Sequence, residues 1–162
     1  MNRTTVRALA TPVLAAGLLG GLATVPAHAA EPRNDLYSRA DNLTPQRCDA
    51  SAEGRNTQAT GQTGEPVHYS AGSLPVQSVW TTWQAPRSRT VVMNTNGSDF
   101  DTVLAVYRGG RLTQLSPIAA DDDSGDGLAS RVAFDAIRGV TYRIAVDSFG
   151  SAEGNYLLRV IC

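Results

Sequence analysis

Arg131-Val132-Ala133-Phe134-Asp135-Ala136 and, a short turn later, Thr141-Tyr142-Arg143-Ile144-Ala145-Val146-Asp147 carry the pattern that decides the fold. Successive side chains of a strand point to opposite faces, so Val132, Phe134 and Ala136 are predicted to face a core while Arg131 and Asp135 face water. Tyr142, Ile144 and Val146 likewise share one face and leave Arg143 and Asp147 on the other. Further on, Tyr156, Leu158 and Val160 share their parity with Cys162, which places that sulfur at the edge of the core.

Working outward, short runs rich in Val, Thr, Tyr, Ile and Trp recur between clusters of Gly, Pro, Asn, Asp and Ser, the signature of an all-β domain. Strands are predicted at residues 79–85, 90–95, 101–107, 112–119, 131–136, 141–149 and 155–161, with another near 57–62. Residues 103–107 are apolar at both parities, which predicts a strand covered on both sides, the outer cover coming from the preceding segment. That segment, residues 30–62, is polar and weakly periodic, with a short helix or turn at 34–43. The expected organisation is a leader at 1–29, the lead-in segment packed on the sandwich, and the sandwich itself at 63–162.

Trp80 and Trp83 are three residues apart and cannot both face the core of a regular strand. Trp83 keeps company with Val79 and Ala85 and is assigned to the core. Trp80 is either an exposed platform for a sugar ring or a peptide, with Tyr107 as the second ligand-surface candidate, or it is covered by a lead-in residue such as Leu36 or Tyr37 or turned by a bulge.

Residues 1–7 carry Arg3 and Arg7, residues 8–25 are apolar but broken by Pro12 and several Gly, and Pro26-Ala27-His28-Ala29 ends in a small-x-small pattern. This reads as a secretory signal peptide rather than a membrane anchor, leaving about 130 residues, enough for one domain with its own core. With no Cys at the cleavage point and no second apolar span, the product is expected to be released outside the cell and to have no membrane contact afterwards. All 14 basic residues are Arg against 15 acids. The Arg residues are scattered, without the basic stripe that displaces counterions from phosphates, so nucleic acid is not an expected partner. Export places Cys48 and Cys162, the two cysteines of the chain, in an oxidising compartment, and one disulfide is expected; no C-x-x-C spacing suggests a reactive pair.

The run Asp121-Asp122-Asp123-Ser124-Gly125-Asp126-Gly127 places four carboxylates within six residues, which repel one another unless a cation sits among them. Asp122, Ser124, Asp126 and Gly127 fit the opening of a calcium loop, and Asp121 and Asp123 supply further oxygens. The fit fails at the closing Glu, where Ala133 stands, so any calcium would be held by a loop between strands with ligands borrowed from elsewhere. The competing reading is a solvated acidic turn.

An ordered set of these stretches carries a resemblance: Gly64-Glu65-Pro66-x-His68, Ser78-Val79-Trp80, Asp99-Phe100-Asp101-Thr102-Val103-Leu104-Ala105-Val106-Tyr107, Asp121-Asp122-Asp123, Ser130-Arg131-Val132, Tyr142-Arg143-Ile144-Ala145-Val146-Asp147 and Gly154-Asn155-Tyr156. It resembles the bacterial pre-peptidase C-terminal domain family, over nearly all of the chain after the leader. The resemblance implies a jelly-roll-like antiparallel β-sandwich of about eight strands. Members of that family are usually appended to secreted hydrolases, where they serve secretion, maturation or substrate attachment, and related collagenase domains bind collagen and calcium. No catalytic domain precedes the module in this sequence, so the chemistry of such hydrolases is not expected here, and the collagenase calcium ligands cannot be carried over residue by residue.

Nucleophilic catalysis needs a base beside the nucleophile, and after the leader the chain has one histidine, His68, in the Glu65-Pro66-Val67-His68 turn. A structural hydrogen bond or simple exposure is its expected role. The sequence therefore predicts a secreted, monomeric, non-catalytic binding module engaging an extracellular polysaccharide or protein, with calcium as stabilising ion and no catalytic residue assigned. The alternatives are a small hydrolase using an acidic pair drawn from Asp99, Asp101, Asp123 and Asp147, or a structural envelope protein or protease inhibitor.

Overall fold

The computed structural model describes residues 30–43, 48–69 and 74–162; the predicted leader, residues 1–29, lies outside the described residues. Among the described residues, nine strands form two sheets. They are β1 (Asp41–Leu43), β2 (Ala50–Arg55), β3 (Val79–Gln84), β4 (Arg89–Asn94), β5 (Thr102–Arg108), β6 (Ser116–Asp121), β7 (Arg131–Ala136), β8 (Thr141–Ser148) and β9 (Asn155–Ile161). One sheet has the order β1-β3-β8-β5-β6 and the other β2-β9-β4-β7. From β6 to β9 each strand lies in the sheet opposite its predecessor, the alternation that makes a jelly-roll-like sandwich. All pairs are antiparallel except β1 with β3, which is parallel.

The alternation read in β7 and β9 is realised: Val132, Phe134, Ala136, Tyr156, Leu158 and Val160 enter the core between the sheets. Although β7 and β8 follow one another, they belong to opposite sheets, and Phe134 meets Tyr142 across the core with ring centroids 4.9 Å apart. Trp83 joins this core as expected.

A second, smaller core lies on the outer face of the five-stranded sheet. Trp80, Ala105, Tyr107 and Ala145 form it, with Tyr37, Ala40, Leu112 and Leu115 packed over them. The double-sided apolarity of residues 103–107 has its origin here, because β5 is buried on both faces. Trp80 and Tyr107 are therefore not surface residues. Trp80 is 0% exposed, with the Tyr37 ring edge-on at 5.2 Å, and Tyr107 is equally buried. The exposed-platform reading of both is corrected: Tyr37 and Ala40, from the stretch before β1, pack over this face, and an indole that could not face the first core faces the second.

Other differences are local. Residues 57–62 form no strand: the chain turns at Thr57 and Gln58, with the Ala59 N–H donating to the Asn56 carbonyl at 2.8 Å, and runs irregularly from there. The strand lies earlier, in β2, whose composition hides it. Its Gly54 faces Tyr156, and a Cβ there would come within 2.7 Å of that ring. Residues 112–114 form a 3₁₀ turn, so the sixth strand starts at Ser116 and carries Pro117 on a sheet edge beside a β-bulge, positions where proline is tolerated.

Cys48 and Cys162 are bonded, with Cα atoms 5.2 Å apart. Ala50 pairs with Val160 in the β2–β9 ladder, so the bridge continues the same register two residues further.

Candidate cation site

The β5–β6 ladder pairs Leu104 with Asp121, so the residue before β5 and those after β6 meet at one end of the sheet. Asp101, Asp122 and Asp123 converge there, each offering a carboxylate oxygen within 4.8 Å of the others. Asp122 is 8% exposed, Asp101 half-buried and Asp123 exposed. One oxygen each of Asp122 and Asp101 (Oδ1) is buried without a hydrogen-bond partner among the described residues. Buried carboxylate oxygens are rarely left so, because desolvation without a partner costs about 1–3 kcal/mol.

Electrostatics separate these acids from their neighbours. Burial, followed by the charges of Asp123, Asp101 and Asp121, pushes the Asp122 carboxyl up to about 6. Burial and then Asp123 raise that of Asp101. Asp121 moves the other way: burial would raise it, but hydrogen bonds from the N–H groups of Arg131, Ser124 and Asp122 and from the Ser124 hydroxyl outweigh that and lower it. Its Oδ2 accepts from Arg131 N and Ser124 N at 2.8 Å each, and its Oδ1 from Ser124 Oγ at 2.7 Å.

Of the five predicted metal ligands, Asp122 and Asp123 come together, while Asp121, Ser124 and Asp126 make hydrogen bonds of their own. Asp121 and Ser124 bond each other, while the Asp126 carboxylate accepts from Asn96 Nδ2 at 2.6 Å. Gly125 is required by a close approach, since a Cβ there would lie 2.5 Å from the Ala129 carbonyl oxygen. The acid that joins Asp122 and Asp123 from elsewhere in the chain is Asp101. Its aspartate was visible, but the strand register that delivers it was not.

Of the four acids considered for an acidic pair, Asp101 and Asp123 meet at this site and Asp99 lines the cleft beside it together with Asp101. Asp147 sits elsewhere, buried, accepting from the backbone N–H groups of Gln77 and Ser148 at 2.8 Å each. Asp99 accepts from Asn155 Nδ2 at 2.7 Å. His68 is buried, with Nδ1 2.8 Å from the Tyr107 hydroxyl and Nε2 3.3 Å from Glu65 Oε2. Glu65 also accepts from Trp80 Nε1 at 3.3 Å and Ser78 Oγ at 2.8 Å. Burial, aided by Glu65 and Asp147, holds the Tyr107 phenol protonated far above its ordinary range. This network ties the 62–68 turn onto the second core and leaves His68 enclosed.

A pH effect follows for the protein stripped of cations. The raised Asp122 carboxyl keeps its proton in the fold over the interval from about 3.8 to about 6, where the unfolded chain has released it. Stability must then rise as pH falls through that interval. Asp121, being lowered, works against this only below its unfolded value of 3.8. Thermal melts in chelator should give a higher Tm at pH 5 than at pH 7.5, with the difference reduced in Asp122→Asn. An unchanged or lower Tm at pH 5 contradicts the assignment.

Beside the triad opens a cleft of about 410 Å³, lined by Ser98, Asp99, Phe100, Asp101, Asp126, Leu128, Ala129 and Ala152.

No protein-family model matches the sequence, and no curated protein is significantly similar to it. Several solved structures are similar in fold. One is the pre-peptidase C-terminal domain of collagenase from Bacillus anthracis, at 12% identity and a TM-score of 0.46, covering 75% of this chain and 93% of that one. Another is PliG of Aeromonas hydrophila, a periplasmic inhibitor of g-type lysozyme, at 17% identity and a TM-score of 0.47, covering 75% and 96%. The first is a domain of the family that the sequence motifs resemble.

Proposed function

We propose that this chain is an exported, non-catalytic binding module that holds a calcium ion at Asp101, Asp122 and Asp123 and engages an extracellular polysaccharide or protein. The observation that carries the cation is the pair of buried, unpartnered oxygens on Asp101 and Asp122, converging with Asp123 within 4.8 Å. Calcium holds its oxygens at about 2.3–2.6 Å, so oxygens up to about 5 Å apart can share one ion. Magnesium dehydrates reluctantly and suits an all-carboxylate cluster less well. The disulfide supports an extracellular or periplasmic setting, because such bonds persist in oxidising compartments. Enclosure of His68 supports binding over turnover.

Thermal melts of the oxidised protein in chelator, in millimolar calcium and in magnesium test the reading. A free calcium concentration one hundredfold above Kd stabilises by about 2.7 kcal/mol, or roughly 8 °C in Tm for a domain of this size. The rise should disappear in Asp101→Asn and in Asp122→Asn and persist in Asp126→Asn, whose carboxylate serves the loop. Melts that coincide in calcium and chelator would remove the ion from the proposal.

A further inference from the structure

We infer that the calcium ion proposed above is a docking point for a neutral polysaccharide, two adjacent sugar hydroxyls completing its coordination shell. The inference rests on that cation reading and concerns its open side. Three carboxylates offering one oxygen each leave calcium well short of its six to eight ligands. Asp122 closes the site from the buried side and Asp123 faces solvent, so the remaining positions point outward.

The surroundings select the ligand. The cleft of about 410 Å³ shares Asp101 with the triad and falls in the size range of pockets that enclose small ligands. On the triad and around the cleft stand Asp99, Asp101, Asp122, Asp123 and Asp126, while no Arg lines it. One divalent ion does not neutralise that many carboxylates. A uronate, a phosphate or an acidic peptide would therefore meet net repulsion, whereas a vicinal diol ligates calcium without bringing charge. A basic peptide would be attracted, but by the carboxylates themselves, so that calcium would compete with it rather than recruit it.

Apolar surface lies where a sugar ring needs it. Leu128 and Phe149 are 58% and 52% exposed. Both are fixed at the site by backbone bonds: the Thr102 N–H donates to the Leu128 carbonyl at 3.1 Å, and the Phe149 N–H to the Asp101 carbonyl at 2.9 Å. They flank the start of β5, and the C–H faces of a pyranose pack on such side chains.

Affinity electrophoresis of the full secreted protein tests this in gels cast with mannan, arabinoxylan or β-glucan, with polygalacturonate as the anionic control, in calcium and in chelator. At least one neutral glycan should retard the protein in calcium, with affinity falling tenfold or more in chelator. Leu128→Ser and Phe149→Ser should weaken retardation while keeping the calcium-induced rise in Tm, and Asp101→Asn should lose both. A normal calcium rise in Tm without retardation by any neutral glycan overturns this inference and leaves the cation site standing. Absence of the rise itself overturns the underlying reading. Retardation that survives chelator, or that occurs with polygalacturonate alone, also overturns it, by placing the binding surface elsewhere or reversing its charge preference.

Discussion

Replacing Cys48 and Cys162 together by Ala lowers stability by about 2–5 kcal/mol, measured as the urea midpoint at constant m-value. The bridge closes a loop of 114 residues, and the chain-entropy estimate for so long a loop is between about 4 and 5 kcal/mol before any strain is subtracted. The geometry gives little reason for a large subtraction, because the bonded residues continue the β2–β9 register and their Cα separation of 5.2 Å lies within the ordinary range. Cys162 also packs against the main core, so the double variant loses some apolar contact as well. For a domain of about 130 residues the Tm should fall by roughly 6–15 °C. Reduction of the native protein should reproduce most of that loss, and intact-mass analysis after alkylation should find no free thiol before reduction. A loss below about 1 kcal/mol would mean that the unfolded chain is already compact enough for the link to remove little entropy.

The same bridge shows why parts of the fold were readable. Strands β7 and β9 have one face in the core and one in water, so period-two alternation exposes them directly, and the parity of Cys162 followed from that of Val160. Strand β2, Ala-Ser-Ala-Glu-Gly-Arg, lacks that signal: it is a sheet edge, its inward positions are small, and Gly54 makes room for the Tyr156 ring. Its existence depends on pairing with a strand a hundred residues later. The cation site divides along the same line. Asp122 and Asp123 stood in a conspicuous acidic run; Ser124 in that run bonds its neighbour Asp121, and Asp126 bonds Asn96, thirty residues earlier in the chain. Asp101 reaches the site through the β5–β6 register, which no local pattern encodes.

Trp80→Ala should cost about 3–5 kcal/mol, a large share of the 5–15 kcal/mol that holds a typical domain together. An exposed ligand platform would predict the opposite, a stable variant with lost binding. The indole is fully enclosed by Tyr37, His68 and Tyr107, whose ring centroids lie 5.2, 5.6 and 6.1 Å away. Truncation leaves a cavity between the sheet and its outer layer, and it also deprives Glu65 of the Trp80 Nε1 donor inside a buried network. Trp80→Phe should cost less, since it keeps much of the apolar volume and loses chiefly that hydrogen bond. Urea unfolding ranks the three proteins, and iodide quenching gives an independent check: with Trp83 also buried, neither indole of the native protein should be accessible. A loss under about 1 kcal/mol for the Ala variant would show that the outer layer contributes little. The expected large loss makes the stretch before β1 a structural layer, because Tyr37 and Ala40, with Leu112 and Leu115, cover the outer face of β3 and β5 and allow that sheet to be apolar on both faces.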